Sequence, residues 1–296
     1  MPLPLRALIL IALIIGVPLF VGYQLVAVFP AGRPYAWYFG GLCSFAFTVA
    51  TIITASRLPQ LYVKFYEAKK VTGSQYQNQL RTFGLSAQKA GIGIPELYMI
   101  SDAAPHAMAV GWLPSTRTIL VTRGLFDSLE PDQFQAYLDY LITMIAKGEL
   151  GIMSLGCAAA YVALLPLKLA DMADSDALRV ILTVIFGWFG AIYLHAIGVG
   201  SHAYEIDQAA GSFHGVGGHL ALASALNEGT KTLFKHPINR LDYSSSPLFV
   251  VNPLGATGVA GIFATHAPTP KRVKRLQRKG TRAVGKEAVA KSKGLV

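Results

Sequence analysis

Four stretches of this chain contain no Asp, Glu, Lys or Arg: Ala7 to Gly32, Pro34 to Ser56, Leu150 to Leu167 and Val180 to Tyr204. About 20 apolar residues in helical form cross the hydrocarbon layer of a bilayer, so runs of this length confine the chain to a membrane fold. The composition agrees. With 53% apolar and 14% charged residues and a mean hydropathy of +0.44, a disordered chain and a small disulfide scaffold are both excluded. The first run outlasts the roughly 7–15-residue core of a signal peptide and no small-x-small cleavage site closes it, so it is expected to stay as an anchor. The expected spans are about 7–29, 36–56, 150–168 and 179–200.

Charge gives an expected orientation. The formal net charge is +10, and the stretch from Lys271 to Val296 alone holds ten Lys/Arg against the single acid Glu287. The basic excess therefore belongs to a tail, not to a folded nucleic-acid-reading face, and no nucleic-acid partner is expected. Arg57, Lys64, Lys69 and Lys70 follow the second run, whereas the connection between the third and fourth carries Asp171, Asp174 and Asp176. The positive-inside rule then places both termini and the segment from Arg57 to Lys147 on the cytoplasmic side. Cys43 and Cys157 lie inside apolar runs without a partner spacing and say nothing of redox compartment.

Between the second and third runs, local signals predict a small mixed domain. Gln75 to Ala90 has helical apolar spacing and stops at Gly91; Glu96 to Ile100 and Thr118 to Thr122 read as strands, with Ala107 to Val110 a weaker third. Ser128, Glu130 and Pro131 open a helix that ends near Gly148. Beyond the fourth run, Tyr204 to Phe213 and His219 to Leu226 read as helices and Ser244 to Ala264 as a loop. The expected units are a hairpin at 1–56, a cytoplasmic part at 57–149, a second hairpin at 150–200, the rest of the domain at 201–270 and a basic tail at 271–296.

Several of these segments carry a resemblance. Ala90-Gly-Ile-Gly-Ile-Pro-Glu-Leu-Tyr-Met-Ile100, Ala104-Pro-His-Ala-Met-Ala-Val-Gly111, Val121-Thr-Arg-Gly-Leu125, Leu220-Ala-Leu-Ala-Ser-Ala-Leu226, Leu248-Phe-Val-Val-Asn-Pro-Leu254 and Phe263-Ala-Thr-His-Ala-Pro-Thr269 follow in order and spacing. From about Val71 to Leu276 the chain resembles the HtpX-type membrane zinc metallopeptidases, relatives of the CAAX prenyl endopeptidases. The resemblance implies a mostly α membrane protein with four transmembrane helices and a small cytoplasmic α+β zincin-like domain. It also implies a zinc site: two His one helical turn apart, a Glu between them and a further Glu ligand. Matching Gln135-Ala-Tyr-Leu138 to the family's helix puts Tyr140 and Met144 at the His positions and Leu141 at the general base. Matching His202-Ala-Tyr-Glu-Ile-Asp207 puts Ala203 at the Glu ligand and keeps Asp207, the acid beside the ligands. Phenol, thioether and alkyl groups are poor zinc ligands or none, and no His pair at i,i+4 occurs anywhere in the chain. The expectation is a pseudopeptidase that is not an enzyme and holds no zinc or other cofactor.

The remaining constellations each have two readings. His202, Glu205, Asp207 and His214 are a relocated metal site or an ordinary polar helix at the membrane surface. His195 is a functional group in the membrane or a neutral, hydrogen-bonded interfacial residue. His106, Ala107, Met108, Ala109 and Val110 resemble the family's substrate-facing edge strand and pair with an extended partner segment, or His106 stands in a solvated turn after Pro105. Lys271 to Lys293 suits anionic lipid or an acidic protein face, or is simply a solvated cytoplasmic extension. Gly215-Val-Gly-Gly218 and Ser244-Ser-Ser246 lack the companions of a phosphate loop or a serine nucleophile. The resulting expectation is a binding, scaffold or accessory subunit of a membrane protein complex, integral to a bacterial inner membrane. The competing reading is a membrane metallopeptidase whose metal site is displaced or completed by a partner.

Overall fold

The computed structural model describes residues 2–72, 76–173, 175–215, 217–235, 241–254 and 259–292. Asp174, Val216 and Lys293, which the sequence reading includes, lie outside the described residues. Two long helices open the chain, α1 (Leu3–Ala27) and α2 (Ala36–Phe65), joined by the 3-10 turn Pro30–Tyr35. At about 1.5 Å per residue they measure about 37 and 45 Å, more than the ~30 Å hydrocarbon layer. They pack closely because small residues meet backbone: a Cβ on Gly40 would lie 2.6 Å from the Leu19 carbonyl oxygen. The Ser44 hydroxyl donates to the Ile15 carbonyl at 2.8 Å across the same seam. Their outer faces leave Leu8, Phe20, Leu42 and Phe45 more than 60% exposed, a surface suited to lipid and costly in water.

After α2 comes a four-stranded sheet in the order β1-β2-β4-β3, from β1 (Lys69–Lys70), β2 (Glu96–Ile100), β3 (Ala107–Val110) and β4 (Thr118–Thr122). β2 and β4 run parallel, with Tyr98 opposite Leu120; β3 pairs antiparallel with β4, with Met108 opposite Leu120. The three longer strands fall where the sequence places them. α3 (Gln77–Lys89) joins β1 to β2, α4 (Arg123–Ser128) leaves β4, and α5 (Pro131–Ala146) follows.

Then the path departs from expectation. α5 ends at Gly148, whose φ of +77° suits glycine, and the chain bends 84° into α6 (Glu149–Ala163). α6 is about 22 Å long by its rise, too short to cross alone, and Cys157, Ala158, Ala159 and Ala160 are fully buried against protein. α7 (Leu167–Met172) and α8 (Asp176–Ala196) complete this hairpin. Three helices among the described residues, α1, α2 and α8, are individually long and apolar enough to cross a membrane; a fourth span arises only if α5 and α6 are counted together. The expected span at 150–168 falls on α6, which reaches spanning length only together with α5 across the bend. Its apolar run is a helix buried inside the protein, which hydropathy alone does not separate from a lipid-facing one. α9 (Val199–His214) and α10 (Gly218–Lys235) pack on α5, followed by 3-10 turns at Tyr243–Leu248 and Val259–Phe263. The basic tail is corrected: Thr269–Ser292 form a helix, α11, laid against α10 and α9. Arg272 and Leu276 enter the core while Lys271, Lys274, Arg275, Arg278 and Arg282 stay exposed, an amphipathic division that a net-charge count cannot see.

Candidate functional site

The site rests on α5, α9 and the start of α6. Glu130 and Gln133 cap α5 reciprocally around Pro131, and its apolar spacing buries everything from Ala136 to Ile145. Tyr140 and Met144, one turn apart, face Ala203 from α9 across a cavity of about 10 Å³ also lined by Arg6, Glu149 and His202. That is room for about one water. Tyr140, Met144 and Ala203 thus meet at one cavity that Leu141 does not line, and all four residues are at least 96% buried.

Zinc does not fit these residues. The nearest carboxylates are already held: Asp207 accepts from Arg272 at 2.7 and 2.9 Å, and Glu149 accepts from Arg6 at 2.7 and 2.6 Å. Arg272 also donates to the Val250 carbonyl at 2.6 Å and lies 5.2 Å from the Tyr140 ring centroid, while Arg6 donates to the Ile197 carbonyl at 2.9 Å. Two buried arginine–carboxylate pairs thus flank the cavity, a two-nitrogen fork from Arg272 onto Asp207 and a single Arg6 nitrogen shared by both Glu149 oxygens, each satisfying charge that could not remain unpaired there. Among the described residues no group of His, Cys, Asp and Glu is arranged to hold a metal ion.

The expected cluster of His202, Glu205, Asp207 and His214 separates into three. His202 Nδ1 stands 3.4 Å from Glu205 and 3.8 Å from Glu149, with Nε2 buried and without a partner among the described residues. Asp207 belongs to Arg272. His214 bridges α9 to α5, with Nδ1 2.8 Å from Asp139 and Nε2 2.9 Å from Asp132; the hydrogen bond to Asp139 leads in raising its pKa. His195 Nε2 bonds the Ile262 carbonyl at 2.9 Å.

The strand from Ala107 to Val110 is buried throughout, as is His106. Its outer edge, expected to receive a partner, is taken by this chain: Met108 bridges to Phe249 and the Val250 N–H donates to the Ala107 carbonyl at 3.1 Å. The segment that satisfies that edge lies about 140 residues downstream, a pairing no local signal announces. The His106 ring meets Phe249 edge-on at 5.4 Å, and neither nitrogen finds a partner among the described residues. Burial, then the neighbouring His266, pushes its pKa down to about 3. His266, bonded to the Phe249 carbonyl at 2.8 Å, is lowered to about 4, chiefly by burial.

The sequence reading missed Arg6, Glu149 and Arg272. Each is a charge beside or within an amphipathic run, where it reads as a flank; the signal available was that Arg6 and Glu149 stand directly against apolar runs.

No family model and no solved structure matches the chain. Among curated proteins, one named Protease HtpX homolog from Thermococcus kodakarensis is 26% identical over 286 residues, 93% of this chain and 95% of that protein. Homologs of the same name from Dictyoglomus turgidum, 26% identical over 89% of this chain and 88% of the relative, and from Syntrophobacter fumaroxidans, 24% over 74% and 82%, align likewise. These relatives correct the expectation that the chain is not an enzyme, because proteins named as proteases point to a peptidase. The resemblance read from the sequence holds: over most of its length the chain is similar to proteins named Protease HtpX homolog.

Proposed function

We propose that this membrane peptidase-family protein serves as a polypeptide-binding or accessory subunit of a membrane protein complex, with its zincin-like domain on the cytoplasmic side of a bacterial inner membrane. The observation that carries the reading is the closed cavity between Tyr140, Met144 and Ala203, flanked by two carboxylates that arginines already hold. The contact surface is the exposed cationic face of α11, where Arg275 also covers the Tyr204 ring at 4.0 Å and Lys279 reaches Gln208. Such a face attracts acidic protein or anionic lipid from a distance. Mild detergent extraction followed by identification of co-purifying proteins tests it. A stoichiometric membrane partner, lost when Lys271, Lys274, Arg278 and Arg282 are changed to Gln, supports the proposal; a chain that always purifies alone overturns it.

A second reading, a peptidase whose metal site is completed by a partner chain, is favoured by the relatives' names and by one observation. Glu149, His202 and Glu205 gather beside a cleft of about 310 Å³ that opens next to Pro2 and Lys147. Metal content and peptide cleavage, measured on the complex and on the chain alone, separate the two readings. Chelator-sensitive cleavage found only in the complex would establish the second.

A further inference from the structure

α8 passes every compositional test for a membrane span, yet its surroundings place it elsewhere. If it crossed, its 21 residues would carry its ends about 30 Å apart along the membrane normal. The start of α1 and the end of α2 share one end of their hairpin, the end that leads to the sheet. At α8's C-terminal side, the Ile197 carbonyl takes its hydrogen bond from Arg6, in the first turns of α1. On its N-terminal side, Lys168 in α7 pairs with Asp242 at 3.1 Å and stands 5.2 Å from the ring of Phe65, the last residue of α2. From Gly187 to Ile197, α8 follows the folded domain. A Cβ on Gly187 would touch Ile262 and Phe263, and His195 bonds Ile262. Leu164 fills the space over Gly190, pairing α6 antiparallel with α8.

The opposite face of α8 is apolar and open. Val180, Ile181, Val184, Ile185 and Trp188 are 53–62% exposed and fall at i, i+1, i+4, i+5 and i+8, one stripe of a helix. Past the stripe, the buried Tyr193 stacks on Phe47 of α2 at 5.4 Å and packs α8 against the first hairpin.

We infer that α8 does not cross the bilayer but lies along it, re-entering from the sheet side, with its Val180–Trp188 stripe in the acyl chains of that leaflet and its other face roofed by the domain. Burying such a stripe in hydrocarbon is favourable by its apolar area, and both backbone ends stay where water and protein satisfy them. The acidic connection before α8 then shares a side with the sheet, contrary to the positive-inside assignment.

The test uses the full chain in sealed vesicles, with Cys43 and Cys157 changed to Ala and single cysteines introduced. An impermeant maleimide should label Asp176→Cys from the same side as Lys274→Cys and from the side opposite Arg33→Cys. Labelling of Asp176→Cys with Arg33→Cys would overturn the inference. A nitroxide scan from position 180 to 188 gives an independent reading. A lying helix returns to the same depth every 3.6 residues, whereas a crossing one changes depth by about 1.5 Å per residue in one direction. A steady gradient, or a stripe shielded by another protein and out of contact with lipid-phase oxygen, would also overturn it.

Discussion

Arg272 and Asp207 show how one residue's role depends on a partner far away in the chain. Their bidentate pair is nearly fully buried, and removing one member strands the other's charge, so Arg272→Met should cost about 3–5 kcal/mol in detergent unfolding experiments. Replacing both, as Arg272→Met with Asp207→Leu, should recover much of that loss; an additive double variant would show that the pair is not the unit. His106 gives the opposite case. Its imidazole is buried without a partner among the described residues, so His106→Phe should be neutral or stabilising. Its folded pKa of about 3 lies below the unfolded value near 6.5, so its contribution is complete above about pH 6.5 and is lost as pH falls toward 3. Acid unfolding curves should therefore steepen below pH 6.5 by about 1.4 kcal/mol per pH unit for this residue, and His106→Phe should remove that component. An unchanged acid slope in that variant would mean that His106 is protonated in the fold. Asp207 was legible as a kept family position. Arg272 was not, because a charge count assigns every cation of a basic stretch to solvent.

At the scale of elements, what was legible follows what is local. The strands at 96–100, 107–110 and 118–122 announce themselves through β-branched and apolar residues between Pro and Gly, and α5 through its cap. The ambiguity of α6 is physical: fifteen residues rich in Ala, Gly and Leu suit lipid and protein interior equally, and only the packing of α2 and α8 decides. The juxtaposition of α5 and α9 supports a constructive test. Because Tyr140, Met144 and Ala203 line one cavity, the combined variant Tyr140→His, Leu141→Glu, Met144→His and Ala203→Glu should bind about one zinc per chain by elemental analysis. The new polar groups enter an apolar site, so several kcal/mol of destabilisation accompany it and folding is checked by circular dichroism first. A folded variant without zinc would show that the two helices no longer hold ligating geometry.

For the whole molecule, the decisive change from sequence to structure is that the basic end is part of the body. A detachable tail could be cut without consequence, but α11 supplies Arg272 and Leu276 to the core, and Gly280 sits against Leu220. Deleting residues 271–296 should therefore unfold the domain, visible as aggregation or proteolysis, whereas neutralising the exposed cations should leave it intact and weaken only salt-sensitive association. If the deletion stays folded, the docking of α11 is marginal. Arg6 sets a further condition, one of timing. Among the described residues its guanidinium donates to Glu149 and the Ile197 carbonyl, so it reaches the bilayer boundary long before either partner has been made. At ordinary translation rates the interval is on the order of ten seconds or more. Until then the newborn hairpin must keep that cation hydrated at the membrane surface. The nascent protein thus has an open, incomplete stage that ends only when nearly two hundred residues have emerged, and a chaperone or an assembling partner has that interval in which to engage it.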